Sequence, residues 1–312
     1  MTARGRVLLT GASGFMGPRI AGALQAEGYS VRAASCSALA LPGTEAVILP
    51  DLAQDFDARP LVDGMDYVVH LAGIAHATTA ISDAIYHAVN AEAPVRLAAA
   101  ARAAGAKRFL LMSSVRAQTG PVAKEAVRED QVPCPTDAYG RSKLAGEKLL
   151  AQTLQGSATE FVVLRPVLVY GPGVKGNMAA LERLARLRVP LPLASFRGRR
   201  SLLSLANLAS AVRHCLVADA ARGGTFLVAD SEPATIPEIV SAMRKGLGRR
   251  PGSFSVPAWP LASALRLFGK SDVANRLFGD LIADTSALRA TGWSPKEETL
   301  AALAAAMAKP AG

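Results

Sequence analysis

Short apolar runs alternate with longer segments of helical period along the first half of the chain. Arg6–Thr10, Tyr29–Ala34, Ala46–Leu49, Tyr67–Leu71, Arg108–Met112 and Phe161–Leu164 read as strands. Phe15–Glu27 reads as a helix, with Met16, Ile20, Ala23 and Leu24 on one face. A second helical segment runs from about Ser82 to Ala104, and a third over Ala138–Gln152. Near-continuous apolar strands are what a sheet covered on both faces requires. Strands alternating with helices pair in parallel through right-handed crossovers. Six such units predict an α/β fold with a doubly wound parallel sheet.

After about Gly171 the rhythm changes. Prolines and arginines become frequent (Pro172, Pro190, Pro192, Arg197, Arg199, Arg200), and the pattern turns mostly helical. One helix is announced by Thr235-Ile236-Pro237-Glu238, a capping-box spacing with an early proline. Ala206–Ala218 and Thr225–Ala229, a helix and a strand within 204–230, are expected to return to the sheet.

The first strand runs straight into Gly11-Ala12-Ser13-Gly14-Phe15-Met16-Gly17 and then a helix. Gly11 suits the tight turn, Gly14 lets backbone approach a pyrophosphate, and Gly17 permits close helix–strand packing. An anion then sits at the helix N-terminus, where free N–H groups and the macrodipole favour it. This strand–turn–helix context predicts a Rossmann dinucleotide site. Residues 1–170 are therefore expected to form the NAD(P)-binding domain. Residues 171–312 are expected to form mainly a smaller, C-terminal substrate-binding domain. The second strand ends in Ala33-Ala34-Ser35-Cys36-Ser37, with no carboxylate to accept from a ribose 2′-OH or repel a 2′-phosphate. With Arg32 close by, NADP is weakly favoured over NAD. Asp51-Leu52, after the third strand, is placed to contact adenine.

Tyr139 and Lys143 lie at i, i+4 on one helix face. A phenol has a reference pKa near 10. An ammonium about 4 Å away contributes roughly 4 kcal/mol at an effective dielectric of 20, enough to lower that pKa by up to about 3 units. The phenol would then exchange a proton with a carbonyl or carbinol as hydride moves. Ser113-Ser114 end the fifth strand, at the carboxyl edge where such sheets bind ligands, and supply a hydroxyl to hold the reacting oxygen.

Composition narrows the classes. Half of the 312 residues are apolar, enough for a sizeable core. No run of about 18 apolar residues offers a membrane span, and the early apolar run is broken by Gly11, Gly14, Gly17 and Pro18, unlike a signal peptide. The three cysteines, Cys36, Cys134 and Cys215, are scattered and form no disulfide framework, which fits the cytoplasm. The net charge of +10 carries no Lys/Arg cluster with interleaved aromatics, so no nucleic-acid partner is expected. The four histidines show no metal-ligand spacing.

Taken together these residues resemble the extended short-chain dehydrogenase/reductase superfamily, in its nucleotide-sugar epimerase, dehydratase and ketoreductase branch. The likeness rests on the glycine loop, Asp51-Leu52, His70-Leu71-Ala72-Gly73, Asn90, Ser113-Ser114, Tyr139-x-x-x-Lys143, Arg165-Pro166 and Tyr170-Gly171-Pro172. It implies that Ser114, Tyr139 and Lys143 are catalytic. It further implies that Ser13, Phe15, Met16, Arg32, Ser35, Leu71, Ala72, Gly73, Asn90 and Pro166 join the glycines at the cofactor. Ser114, Arg116, Asn177, Arg200 and Arg276 are the implied substrate contacts, with Arg200 aimed at the diphosphate. A homodimer through the helices 82–104 and 138–152 is implied as well.

Two departures from the branch refine the expectation. Dehydrating relatives carry Asp-Glu after the catalytic hydroxyl, whereas this chain has Val115-Arg116. Epimerising relatives commonly end the second strand in an acid, where this chain has Ser35. The second half looks most like bacterial 4-reductases of UDP-4-keto-6-deoxy-N-acetylhexosamine, which serve surface-polysaccharide synthesis. A UDP-sugar 4-epimerase, a non-sugar ketoreductase and a non-catalytic nucleotide sensor are the alternatives. The stretch Val115 to Asp137 is too long for a structureless connector and is expected to border the sugar pocket.

Overall fold

The computed structural model describes residues 4–38, 41–75, 81–257 and 278–308. Arg276, one of the expected substrate contacts, lies outside them. Seven parallel strands form one sheet: β1 (Arg6–Thr10), β2 (Ser30–Ser35), β3 (Glu45–Ile48), β4 (Tyr67–His70), β5 (Arg108–Met112), β6 (Glu160–Pro166) and β10 (Thr225–Val228). Their spatial order is β10-β6-β5-β4-β1-β2-β3. The order reverses between β1 and β4, so the crevice above their carboxyl ends is the switch point at which such sheets take ligands. Thr225–Ala229 does return to the sheet, pairing with β6.

Alternation along each strand divides the core. Val7 and Leu9 of β1, Leu110 and Met112 of β5, and Val162 and Leu164 of β6 face α1 (Gly17–Ala26) and α8 (Leu205–Val217). Leu8, Phe109, Leu111 and Val163 face the other way, onto α4 (Ala93–Ala103) and α6 (Ala138–Leu154). The helix expected over Ser82–Ala104 is three joined pieces: α3 (Asp83–His87), a π-helical turn (Ala88–Glu92) and α4. The wide turn lets α6 come close; a Cβ on Gly146 would sit 2.3 Å from the Asn90 carbonyl oxygen.

A third apolar cluster gathers after residue 170. Tyr170, Met178, Leu191, Phe196, Ile239 and Met243 belong to it, with Leu303 and Met307 of the last described helix. Met178 lies on α7 (Gly176–Arg186), while Ile239 and Met243 lie on α9 (Ile236–Gly246). The capping box at the start of α9 is formed: Thr235 and Glu238 each bond the other's backbone N–H.

The stretch 115–137 is ordered by its bonds rather than by regular structure. It opens with α5 (Val115–Gln118), whose N-cap is Ser114. Farther on, Ala123 and Val127 donate to the carbonyls of Asp280 and Ile282. Glu129 accepts from the Leu227 N–H on β10, satisfying one donor on that outer edge of the sheet.

Candidate active site

The glycine loop occupies the crevice. Gly11 has φ +71°, and a Cβ there would meet the Ala72 nitrogen at 2.7 Å. The turn after β1 thus lies directly on the turn after β4. Gly17 starts α1 against the loop itself; a Cβ would come within 2.2 Å of the Ala12 carbonyl oxygen. Gly14 accepts from the Gly17 N–H and donates to the Gly11 carbonyl. The first turn of α1 has no side-chain cap, and Pro18 removes one donor. Its remaining N–H groups and the dipole suit an anion.

Asn90, on the π-helical turn, fixes the turn after β4 from the other side. Its side-chain oxygen accepts from the Ile74 N–H at 3.0 Å, and its amide donates to the Ile74 carbonyl and to Ser142 Oγ. Gly73 lies under it: a Cβ would meet Asn90 Oδ1 at 2.7 Å and Lys143 Nζ at 3.1 Å. A groove floored by backbone at Gly11 and Gly73, with an open helix terminus at one end, has the shape a dinucleotide needs. Leu71, Ala72 and Pro166 are buried at the carboxyl ends of β4 and β6. Ser13 is exposed on the loop, while Phe15 and Met16 are half-buried.

Ser114, Tyr139 and Lys143 converge on the next part of the groove. Asp137 caps α6 by accepting from the Gly140 N–H at 2.7 Å. Gly140 packs the first turn onto α5; a Cβ there would be 2.3 Å from the Arg116 carbonyl oxygen. That contact brings the Tyr139 phenol to the Ser114 hydroxyl, which hydrogen-bonds it. The Tyr86 ring lies 6.4 Å from the Tyr139 ring. Lys143, one turn on, is buried and donates to the Met112 carbonyl at 3.0 Å.

The expectation that Lys143 would govern the acidity of Tyr139 needs correcting. Burial pushes the phenol above its ordinary value; the Ser114 hydrogen bond and the Arg116 charge oppose the rise, and Asp137 adds to it. Burial also brings Lys143 down to about 8, against the pull of Glu147. A desolvated amine holds its charge less firmly than a solvated ammonium. At neutral pH the phenol therefore holds its proton. His70, at the end of β4, is driven down to about 3 by burial and by the nearby Lys143. It is neutral, with Nδ1 bonded to Thr10 Oγ1 at 2.8 Å.

A buried polar network beneath the trio was not anticipated in full. Glu147, four residues past Lys143, accepts from Arg165 Nε and Nη2, the shorter at 2.5 Å. It also accepts from Ser113 Oγ, and Arg165 donates on to Gln118 Oε1. Both members of the ion pair are 6% exposed. The signal was present, since Glu147 repeats the Tyr139, Lys143 spacing by another turn and Arg165 had been noted only as part of a motif. Nothing in a sequence says that two such residues meet.

The remaining expected contacts make the following bonds. The Arg32 guanidinium pairs with Glu45 at 2.9 Å and donates to the carbonyls of Pro60, Leu61 and Asp63. It ties β2 to β3 and α2 (Arg59–Val62) through Nε and Nη1. Ser35 Oγ donates to the Ser37 carbonyl. The exposed Asp51 caps its own turn through the Ala53 N–H, beside the buried Leu52. Arg116 pairs with Asp137 at 2.5 Å, and its Nη1 is buried with no acceptor among the described residues. Asn177 is exposed in the first turn of α7. Arg200 donates to the carbonyls of Pro121 and Gly279, fastening the 115–137 stretch to the later chain.

A parallel doubly wound sheet with a glycine turn and a serine, tyrosine and lysine at its carboxyl edge defines an enzyme of the extended short-chain dehydrogenase/reductase class. The sequence model of the NAD dependent epimerase/dehydratase family matches residues 7–240, and the chain belongs to that family. It is an NAD(P)-dependent oxidoreductase or epimerase. A UDP-glucose 4-epimerase of Vibrio cholerae is 33% identical over 298 residues, covering 93% of this chain and 91% of that protein. A ceramide reductase of Caulobacter vibrioides is 30% identical over 67% of this chain and 60% of its own length. Among solved structures, MoeE5 in complex with UDP-glucose and NAD superposes with TM-score 0.73 at 24% identity, covering 97% of each chain. The human epimerase family protein SDR39U1 with NADPH superposes with TM-score 0.75 at 24% identity, covering 97% of this chain and 99% of that one. Both structural likenesses speak to the fold.

Proposed function

We propose that this chain carries out NAD(P)-dependent redox chemistry at C4 of a UDP-hexose, reducing the C4 keto group of a UDP-4-keto-6-deoxy-N-acetylhexosamine. The observation that carries the redox reading is the Tyr139 phenol bonded to the Ser114 hydroxyl at the carboxyl edge of the sheet. A reduction needs an acid at the carbonyl oxygen, whereas an oxidation needs a phenolate first. The groove residues Gly11, Ser13, Gly14, Phe15, Met16, Gly17, Leu71, Ala72, Gly73, Asn90 and Pro166 would hold the dinucleotide, and Asp51 and Leu52 its adenine end. A bound reduced nicotinamide supplies hydride. Tyr139 would give its proton to the C4 oxygen and regain one from water after release, Ser114 would orient that oxygen, and Lys143 would hold the ribose. We assign Arg116, Asn177 and Arg200 to the substrate; the buried Nη1 of Arg116 supports its part in this. Residues 171–312 form mainly the substrate domain in this reading. The enzyme acts in the cytoplasm, as a homodimer through α3, α4 and α6, in surface-polysaccharide synthesis.

The Val115-Arg116 pair supports reduction over dehydration, because no carboxyl follows the hydroxyl. With Arg32 bonded to Glu45 and three carbonyls, the end of β2 offers small polar groups that neither attract nor repel a 2′-phosphate. Both cofactor forms are therefore expected to serve. The Vibrio cholerae relative supports a second reading, UDP-sugar 4-epimerisation. Incubation with reduced cofactor and the 4-keto substrate separates them. Reduction consumes one reduced cofactor per sugar; epimerisation of UDP-glucose, assayed with the oxidised cofactor, leaves no net change in cofactor. No turnover in either assay would contradict both readings.

A further inference from the structure

Two loops beside α7 and α9 present arginines around exposed apolar tips. Leu187, Val189 and Phe254 are 46%, 57% and 47% exposed. Arg186, Arg188 and Arg250 are exposed beside them. The loops are neighbours: Leu191 donates to the Gly252 carbonyl at 2.8 Å and accepts from the Phe254 N–H at 3.0 Å.

This surface is held in place from beneath. Arg244, 3% exposed, donates to the carbonyls of Leu187, Val189, Pro251 and Gly252. Arg249 adds bonds to those of Ala185 and Arg186. With their carbonyls occupied by a buried guanidinium, the loops cannot turn their apolar side chains inward without orphaning it. Apolar residues kept in water beside fixed cations point to a partner that takes both.

The two loops themselves carry only cations, with Glu238 and Glu298 lining the depression on the far side of Pro251, Gly252 and Ser253. No Asp or Glu occurs in 183–218 or in 239–257, the two segments that supply the loops. Glu182, the nearest acid in sequence, is half-buried with Arg186 beside it; burial lifts its carboxyl above the usual range, and Arg186 opposes the rise. Nucleic acid would use the cations but gains little from Leu187 and Val189, since its affinity comes from phosphates and aromatic stacking. An anionic bilayer uses both kinds of group: headgroups attract the arginines, and the aliphatic tips enter the interface. We propose that this face docks the enzyme reversibly on an anionic phospholipid surface.

Co-sedimentation with vesicles of phosphatidylglycerol and phosphatidylethanolamine, against phosphatidylcholine alone, tests it. The full chain should pellet with the anionic vesicles at low salt and stay in solution with phosphatidylcholine. Binding should weaken at 1 M salt, where the Debye length is about 3 Å. Each basic residue near such a surface strengthens binding about fivefold. The variant Arg186→Glu/Arg188→Glu/Arg250→Glu should therefore lose at least about a hundredfold in partitioning. Leu187→Ser/Phe254→Ser should also bind more weakly, with cofactor binding unchanged in both. Phe254→Trp checks the same contact without charge reversal: its emission should shift blue with anionic vesicles beyond any shift of the parent chain. No pelleting, undiminished pelleting of the triple variant, or no extra shift in Phe254→Trp would overturn the proposal. So would patch-dependent binding of an RNA oligonucleotide with none to vesicles.

Discussion

Lys143 is buried in the site, and its charge bears on the neighbouring His70. Its amine is held near 8, so it loses its charge just above neutrality. The rate of reduction should fall as pH rises through about 8, and a flat rate to pH 10 would contradict its role. His70 gives the opposite dependence in stability. Its folded pKa of about 3 lies below the ordinary 6.5, so the unfolded chain binds the extra proton between those values. Stability is then full above 6.5 and declines as pH falls toward 3, by roughly 5 kcal/mol at 1.36 kcal/mol per unit. His70→Asn should flatten that acid limb in denaturant titrations. Arg32 supplies a control: with its donors on Glu45 and three carbonyls, Arg32→Ala should lower the melting temperature. It should leave the ratio of NADP to NAD affinity within about threefold; a larger change would restore Arg32 to the cofactor.

Among the elements, α6 carries most of the site. Its cap at Asp137, its packing at Gly140 and Gly146, and its buried Glu147 set where Tyr139 and Lys143 stand. Breaking the Glu147–Arg165 pair by Glu147→Gln strands a buried cation, a loss of about 3–5 kcal/mol. Removing both partners, as Glu147→Gln/Arg165→Met, should cost clearly less than the sum of the two single changes in urea unfolding. Additive losses would show that the pair does not act as a unit. The bounds of β1 and β5 and the start of α6 were readable in the sequence, because period and caps are local. The strand Thr225–Val228 was readable as well. The π-helical turn at Asn90 was not, since an extra residue per turn leaves no apolar signature. Nor was α5, four residues long and capped by the very serine expected to do chemistry. The acidity of Tyr139 was misjudged for a related reason: spacing places two groups on a face but is silent on how deeply they are buried.

For the whole molecule, the switch point between β1 and β4 gathers what the chain spreads over residues 11–143. The glycine turn, Gly73, Asn90 and the α6 pair meet there because the sheet is parallel and every carboxyl end faces one side. The fold class was open to a reader of the sequence, and so were Ser114, Tyr139 and Lys143 as candidates that the fold brings to one edge of the sheet. The committed hydrogen bonds of Arg32 and Arg200 were not, since their acceptors are distant carbonyls. The account depends on the phenol of Tyr139 delivering a proton in that crevice. Tyr139→Phe should bind cofactor as the parent does, by calorimetry, while single-turnover reduction slows by about 10²–10⁴. Turnover within threefold of the parent, at unchanged cofactor affinity, would contradict it.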